Sequence, residues 1–402
     1  MKNKYDFDKA ISRRGTGCVK WDEPAGGLSP EEMDDVIPMW VADMDFATAP
    51  CVQEAVQRRA AHGAYGYTHV PDAYYDAVIG WYQRRYAWDG LLREHILYTT
   101  GVVPAISCVL KALTMPGEKV LVMTPVYNCF FSSIHNSGCE VLESPLVRFD
   151  TKDSQVFFYK IDWDDFERKC ADPKCSVFLL CNPHNPVGDV WNTIELQHIG
   201  DICHRHGVTV VSDEIHGELG IDLFKYEPYG RLGWAFYKDA VILTSPSKAF
   251  NIAGLQMANI FCYDPELRRR IDRAININEV CDVNPFGPVA VMAAYNEGEE
   301  WLDELRRYLT GNYRALQQFF ADELPQLSYA HLTGTYLVWV DITATGLGSD
   351  EFCDRLLREG HVRVSPGTIY GCDGYIRLNI ACPRTQMMEG LRRLARVTRL
   401  CM

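Results

Sequence analysis

No stretch of the 402 residues approaches the ~18 uninterrupted apolar positions that a membrane span requires, and Met1-Lys2-Asn3-Lys4-Tyr5-Asp6-Phe7-Asp8 contains no apolar signal core. Basic residues are in deficit, 40 against 53 acidic ones, for a formal net charge of -13. Such a surface repels phosphate backbones and anionic lipid, so neither nucleic acid nor membrane is expected as a partner. The 15 cysteines are an odd number and include no C-x-x-C; the closest pair is Cys170 and Cys175. That pattern is neither a disulfide framework nor a zinc knuckle. Several sit in apolar runs, Cys181 after Val177-Phe178-Leu179-Leu180 and Cys262 after Ile260-Phe261, where a free cysteine behaves as a small hydrophobe. A reducing, cytoplasmic compartment is expected.

Common catalytic signatures are missing as well. There is no G-x-G-x-x-G after a strand, no G-x-x-x-x-G-K-[ST], no G-x-S-x-G and no H-E-x-x-H. Nicotinamide dehydrogenases, P-loop enzymes, esterases of that type and zincins lose ground accordingly. His204 and His206, two apart, point to different sides of a helix end and read as histidines placed by the helix dipole; no metal is expected.

What is present is an ordinary globular composition, 47% hydrophobic and 23% charged, with apolar material for more than one core. Val/Ile/Leu-rich runs at Lys119 to Met123, Ser176 to Leu180, Val208 to Ser212 and Ala240 to Thr244 read as strands buried on both faces of a parallel sheet. Amphipathic stretches such as Ile194 to His206, closed by Gly207, read as crossover helices. After Pro285 come the long charged helix Glu299 to Glu323, an alternating strand Tyr336 to Val340 and a last strand Tyr375 to Asn379. The expected class is α/β: a mostly parallel central sheet flanked by helices, over residues 49–289, plus a smaller α+β domain from 1–48 and 290–402. With no repeats and no Gly/Ser linker, the two share a sizeable interface.

Ligands of open parallel sheets bind at the carboxyl ends of strands. There the sequence reads Thr124-Pro125-Val126-Tyr127, Asn182-Pro183-His184-Asn185-Pro186-Val187-Gly188, Asp213-Glu214-Ile215-His216 and Ser245-Pro246-Ser247-Lys248. Singly, each residue has a plain structural reading: Asp213 as a cap, Lys248 as a solvated lysine, Asn185 as a turn residue. Jointly they supply an amine to bond an aldehyde, hydroxyls for a phosphate and an opposed carboxylate to keep a ring nitrogen protonated. These are the parts of a pyridoxal phosphate site.

The order Asn185-Pro186-Val187-Gly188, then Asp213, then Lys248 resembles the fold-type I aminotransferase superfamily. Within it, Met39-Trp40-Val41-Ala42-Asp43-Met44-Asp45-Phe46, Cys181 to Pro186, Ser212 to His216 and Ser245 to Leu255 resemble the MalY/PatB-type cystathionine β-lyases, over essentially the whole chain. The resemblance implies a PLP-dependent, two-lobed subunit in a homodimer with its active site at the subunit interface. It implies that Lys248 bonds the cofactor and then removes the substrate Cα proton, that Asp213 pairs with the pyridinium nitrogen, and that Asn185 and His216 address the phenolic oxygen. Tyr127 stacks on the ring; Gly101, Val102, Val103, Ser245 and Ser247 hold the phosphate, joined by Tyr67 from the partner. Arg377 clamps the substrate carboxylate, helped by backbone near Ala42 and Asp43, with Tyr127 and Asn185 also at the substrate; Trp40, Asp43 and Tyr336 carry no local chemical argument beyond the likeness and read equally as packing or capping residues. One departure stands out: Gln256 occupies the position, eight after the lysine, where many aminotransferases carry a phosphate-binding arginine.

The activity so implied is α,β-elimination from cystathionine or a related cysteine S-conjugate. The alternatives are an aminotransferase of aromatic or neutral amino acids and a non-catalytic PLP-binding regulator.

Overall fold

The structure, a computed structural model, describes residues 4–152, 154–222, 224–233, 238, 240–277 and 279–402. Its strands in chain order are β1 (Ile37–Pro38), β2 (Ile96–Thr99), β3 (Lys119–Val122), β4 (Glu140–Glu143), β5 (Val147–Asp150), β6 (Val156–Lys160), β7 (Cys175–Cys181), β8 (Thr209–Asp213), β9 (Val241–Thr244), β10 (Ala258–Cys262), β11 (Ser328–Ala330), β12 (Leu337–Asp341), β13 (Val362–Arg363), β14 (Ser365–Pro366) and β15 (Tyr375–Asn379).

Seven of them form the central sheet, in the order β2-β10-β9-β8-β7-β3-β4. The pairs β9/β8, β8/β7, β7/β3 and β3/β4 are parallel, and β10 alone runs against its neighbours β2 and β9. Alternate residues of these strands enter separate cores. Val177, Leu179 and Cys181 of β7 meet Val102, Ile106 and Val109 of helix Val102–Leu113 on one face, while Phe178 and Leu180 face the larger core opposite. That double burial is why the strands read as unbroken apolar runs. The crossover helix Thr193–His206 starts at a capping box, with the Asn192 side chain accepting from Glu195 N, and ends at Gly207 with φ 71°. Such a cap contributes about 1 kcal/mol, and glycine supplies the left-handed turn without Cβ strain.

A second sheet has the order β14-β15-β12-β11-β6-β5. Its two outer strands β5 and β6 come from residues 147–160, and β6 joins β11 in parallel through Tyr329 against Val156. Arg148 fastens this hairpin: its guanidinium donates to Tyr375 Oη at 2.9 Å and Ser328 Oγ at 3.1 Å, and pairs with Asp341. Registry does the rest of the positioning. Cys181 lies opposite Asp213 and Asp213 opposite Leu243, so the last residues of β7, β8 and β9 form one edge. β15 turns Arg377 and Asn379, two apart and on one face, toward that edge.

Candidate active site

At this edge lies a cavity of about 180 Å³ walled by Lys248, Asp213, His216, Tyr127, Asn185, Ser247 and the turn Gly101-Val102-Val103. The amine of Lys248 donates to the carbonyl of Ala42 at 2.7 Å. Burial, and after it the Arg377 cation, pushes that amine below the usual lysine range. Asp213 terminates β8; its Oδ1 accepts from Ile215 N at 3.1 Å, and burial pushes its carboxyl up to about 7. Among the described residues no cation forms an ion pair with it. Its neighbour Glu214 leaves the cavity, accepting from Ser212 Oγ at 2.8 Å and Tyr229 N at 2.9 Å and from the Tyr226 hydroxyl.

Asn185 is held by its loop. His184 Nε2 lies 2.9 Å from Pro125 O, and Gly188 O accepts from Thr333 N and Gly334 N, both at 2.9 Å. The Asn185 side-chain oxygen then accepts from Arg377 Nη1 at 3.0 Å, while Arg377 Nη2 donates to Trp40 O at 2.7 Å. Arg377 is buried, and its Nε is left without a partner. His216 is buried too, its Nδ1 equally unpartnered, and burial with the nearby Lys248 and Arg377 charges holds it neutral, well below its ordinary value. A buried polar atom without a partner costs free energy, so two at one crevice mark a place built to receive polar atoms.

At the other end, Gly101 caps helix Val102–Leu113 with φ 152°, and a Cβ there would meet Pro104 Cδ at 3.4 Å. The free amides of that first turn open on the cavity and favour an anion. Ser247 lines the same end. Ser245 stands behind it: its hydroxyl donates to Met257 O at 2.7 Å and accepts from Ser247 N at 3.1 Å. Tyr67 is fully exposed and outside the cavity of its own subunit. Ala42 offers its backbone to the site, accepting also from Tyr336 Oη at 3.0 Å. The Asp43 carboxylate is instead engaged by Arg13, in two bonds of 2.9 and 2.7 Å.

Sequence reasoning missed Asn379, whose amide donates to the carbonyls of Val41 and Asp43 at 2.6 Å each, and Asn251, which accepts from Met44 N at 3.0 Å. The signal for Asn379 was available: two residues beyond Arg377 on a strand, it shares that residue's face. Asn251 and Arg13 carry no such periodicity. Among the described residues there is no group of three or more His, Cys, Asp or Glu suited to a metal, and His206 instead lies 3.3 Å from Glu167 Oε1.

The donor set fits a phosphorylated pyridine aldehyde. It offers a helix end and a hydroxyl for the phosphate, a buried carboxylate for a ring nitrogen and an amine for the aldehyde; Arg377 remains for a carboxylate.

The comparisons agree with the geometry. The family model for aminotransferase class I and II matches residues 34–394. The chain is 40% identical to the cystathionine β-lyase PatB of Bacillus subtilis, covering 97% of this chain and 98% of that one. It is 31% identical to the protein MalY of Escherichia coli, over 96% and 97%. The crystal structure of cystalysin from Treponema denticola, which contains a pyridoxal 5′-phosphate cofactor, superposes with a TM-score of 0.92 at 31% identity, covering 99% of this chain and 100% of that one.

Proposed function

This chain belongs to the class I and II aminotransferase family, and we propose on that premise that it is a pyridoxal phosphate-dependent carbon–sulfur β-lyase. The reaction converts a cysteine thioether and water to a thiol, pyruvate and ammonia. One observation carries the reading: the Lys248 amine and the Asp213 carboxylate face the same cavity, among whose described lining residues Lys248 is the one cation, and Arg377 stands against Asn185 for the α-carboxylate. A site with no cation of its own for a second carboxylate suits a neutral thioether side chain better than an acidic one.

When bound, the cofactor supplies an electron sink that makes the Cα–H bond of an amino acid acidic enough to break. The chain's residues do the rest. Arg377 binds the α-carboxylate, its planar fork held by Asn185 and the Trp40 carbonyl. Asp213 holds a proton on the ring nitrogen. Lys248, its basicity lowered by burial and aimed by the Ala42 carbonyl, takes the Cα proton and can return it to the departing sulfur. Tyr127, which lines the cavity, would stack on the ring and exclude water from it. Neutral His216 offers a hydrogen bond to the phenolic oxygen, and the helix end at Gly101 to Val103 with Ser247 holds the phosphate. No arginine stands at position 256, and the Gln256 carbonyl accepts from Tyr98 Oη at 3.1 Å.

The same reading makes the enzyme a homodimer in which Tyr67 reaches the partner's phosphate. It divides each subunit at residues 48/49 and 289/290. It also places the protein in the cytoplasm, which the free thiols of all 15 cysteines support. No described helix is long and apolar enough to cross a membrane. The function is tested by incubating purified holoenzyme with cystathionine. Pyruvate formed without any 2-oxo acid acceptor supports the lyase; strict dependence on an acceptor would make it an aminotransferase, and no turnover of any amino acid a regulator.

A further inference from the structure

We propose that Arg13 is a positioning residue for this site: a strap formed by residues 13–22 grips the turn 40–45 from outside, fixing the Ala42 carbonyl against Lys248 and cancelling the Asp43 charge beside it. The inference rests on the reading of Lys248 as the cofactor-bearing amine.

The strap is built on one carboxylate. Asp22 accepts the backbone N–H groups of Gly15, Thr16, Gly17 and Cys18 at 2.8 to 3.1 Å, and Gly15 and Gly17 supply the left-handed φ values of 72° and 74° that such a wrap needs. This curl delivers two cations to two acids. Arg13 bonds Asp43 through both nitrogens and also reaches Asp45 at 2.9 Å and Met44 O at 3.0 Å. Lys20 bonds Asp45 at 2.9 Å and the Asp43 carbonyl at 3.2 Å, and lies 3.7 Å from the Asp43 carboxylate. Trp21 Nε1 adds a third donor to Asp45 at 2.8 Å.

The gripped turn is the wall of the active site. Its inner side presents the Trp40 carbonyl to Arg377 and the Ala42 carbonyl to Lys248 and Tyr336. A charge on this turn therefore reaches the amine, and Asp43 stabilises the protonated form of Lys248. The other charged or titratable groups facing Lys248 are Arg377, Asp213, Cys129 and His216. Those facing Asp43 are Arg13, Lys20 and Tyr336, with Asp45 beside it on the same turn. Arg13 is the one among these whose two bonds fix both the direction and the charge of the Asp43 carboxylate. Its side chain is 18% exposed, whereas those of Lys20 and Asp45 are 1% and 3% exposed. Removing either of the latter would strand a buried charge, so the experiment leaves them alone.

The test is a pH titration of the visible absorption of the cofactor-loaded dimer, which reads protonation of the nitrogen of Lys248, in wild type and three variants. Arg13→Gln frees the Asp43 charge and raises the midpoint, by on the order of 0.5 to 1 pH unit. The double variant Arg13→Gln with Asp43→Asn brings the midpoint back toward wild type. Asp43→Asn alone lowers it, because Lys248 loses the nearby carboxylate that favours its protonated form while Arg13, still paired with Asp45, remains. A midpoint unmoved in Arg13→Gln overturns the proposal, as does a double variant no nearer to wild type than the single one. Should Arg13→Gln fail to fold, the Asp43→Asn midpoint decides, and an unaltered value overturns the proposal. Failure of the lyase reading shows separately, as absent pyruvate from a wild type whose titration is intact.

Discussion

Arg377 on β15 reaches across to Asn185 beyond the end of β7, Nη1 to Oδ1 at 3.0 Å, and so ties the second sheet to the edge of the first at the site itself. Its second nitrogen is fixed by the Trp40 carbonyl, which leaves only the buried Nε unpartnered. The guanidinium is thus oriented before any substrate arrives, a preorganisation that lowers the cost of binding a carboxylate.

Arg377→Ala therefore raises KM for the thioether, with a loss in kcat/KM equivalent to roughly 2 to 5 kcal/mol for a buried charge pair. Arg377→Lys retains the charge without the fork and falls between the two. Steady-state kinetics checks both; an unchanged KM in Arg377→Ala removes the assignment.

Asp213 makes the cofactor-free protein sensitive to pH. Its carboxyl, ordinarily near 3.8, is held up to about 7 by burial, so between those values the folded state keeps a proton that the unfolded state has lost. Stability contributed by this group is complete below pH 3.8 and is lost as pH rises toward 7. Thermal unfolding of cofactor-free wild type and Asp213→Asn from pH 4 to 8 should show a steeper loss of stability with rising pH in the wild type. Glu214, held up to about 8 by the same burial, adds a slope common to both proteins, which the difference removes. Adding cofactor abolishes the Asp213 slope, because a ring cation keeps the carboxylate ionised.

Gly188 closes the loop that aims Asn185. Its φ is 78°, and a Cβ there would stand 2.4 Å from Leu332 Cδ1. Gly188→Ala is expected to lose about 1 to 3 kcal/mol from backbone strain alone. Calorimetry should show the lowered Tm, and kinetics a raised KM as Asn185 no longer braces Arg377.

Tyr67 is fully exposed on its own subunit, so the phosphate role proposed for it requires a dimer. Tyr67→Ala should weaken cofactor retention on dialysis while sedimentation still reports a dimer. Retention equal to wild type removes Tyr67 from the phosphate site.

Much of the fold was legible because each signal was local. Helix Thr193–His206 announces its end with Gly207, and the buried runs that form β3, β7, β8 and β9 place Tyr127, Asn185, Asp213 and Lys248 at one edge from the sequence alone. What was not legible depends on distant pairing. Nothing in Ala258–Cys262 says that it runs against its sheet, since an antiparallel strand buried on both faces has the same apolar composition as a parallel one. Nor does Val147–Lys160 reveal that its partner is Tyr329, far along the chain. The grip of Arg13 on Asp43 spans 30 residues of irregular backbone, with no period to expose it. Ser245 and Ser247 look alike in sequence, yet the nearby Met257 carbonyl takes the hydroxyl of the first and leaves the second facing the cavity.

The claim on which the rest depends is that Lys248 bonds the cofactor opposite Asp213. The visible absorption spectrum of the purified protein after addition of pyridoxal 5′-phosphate and dialysis tests it most directly. A yellow band retained by the wild type and absent from Lys248→Ala is the predicted result. A band of equal strength in Lys248→Ala, or none in the wild type, would contradict it.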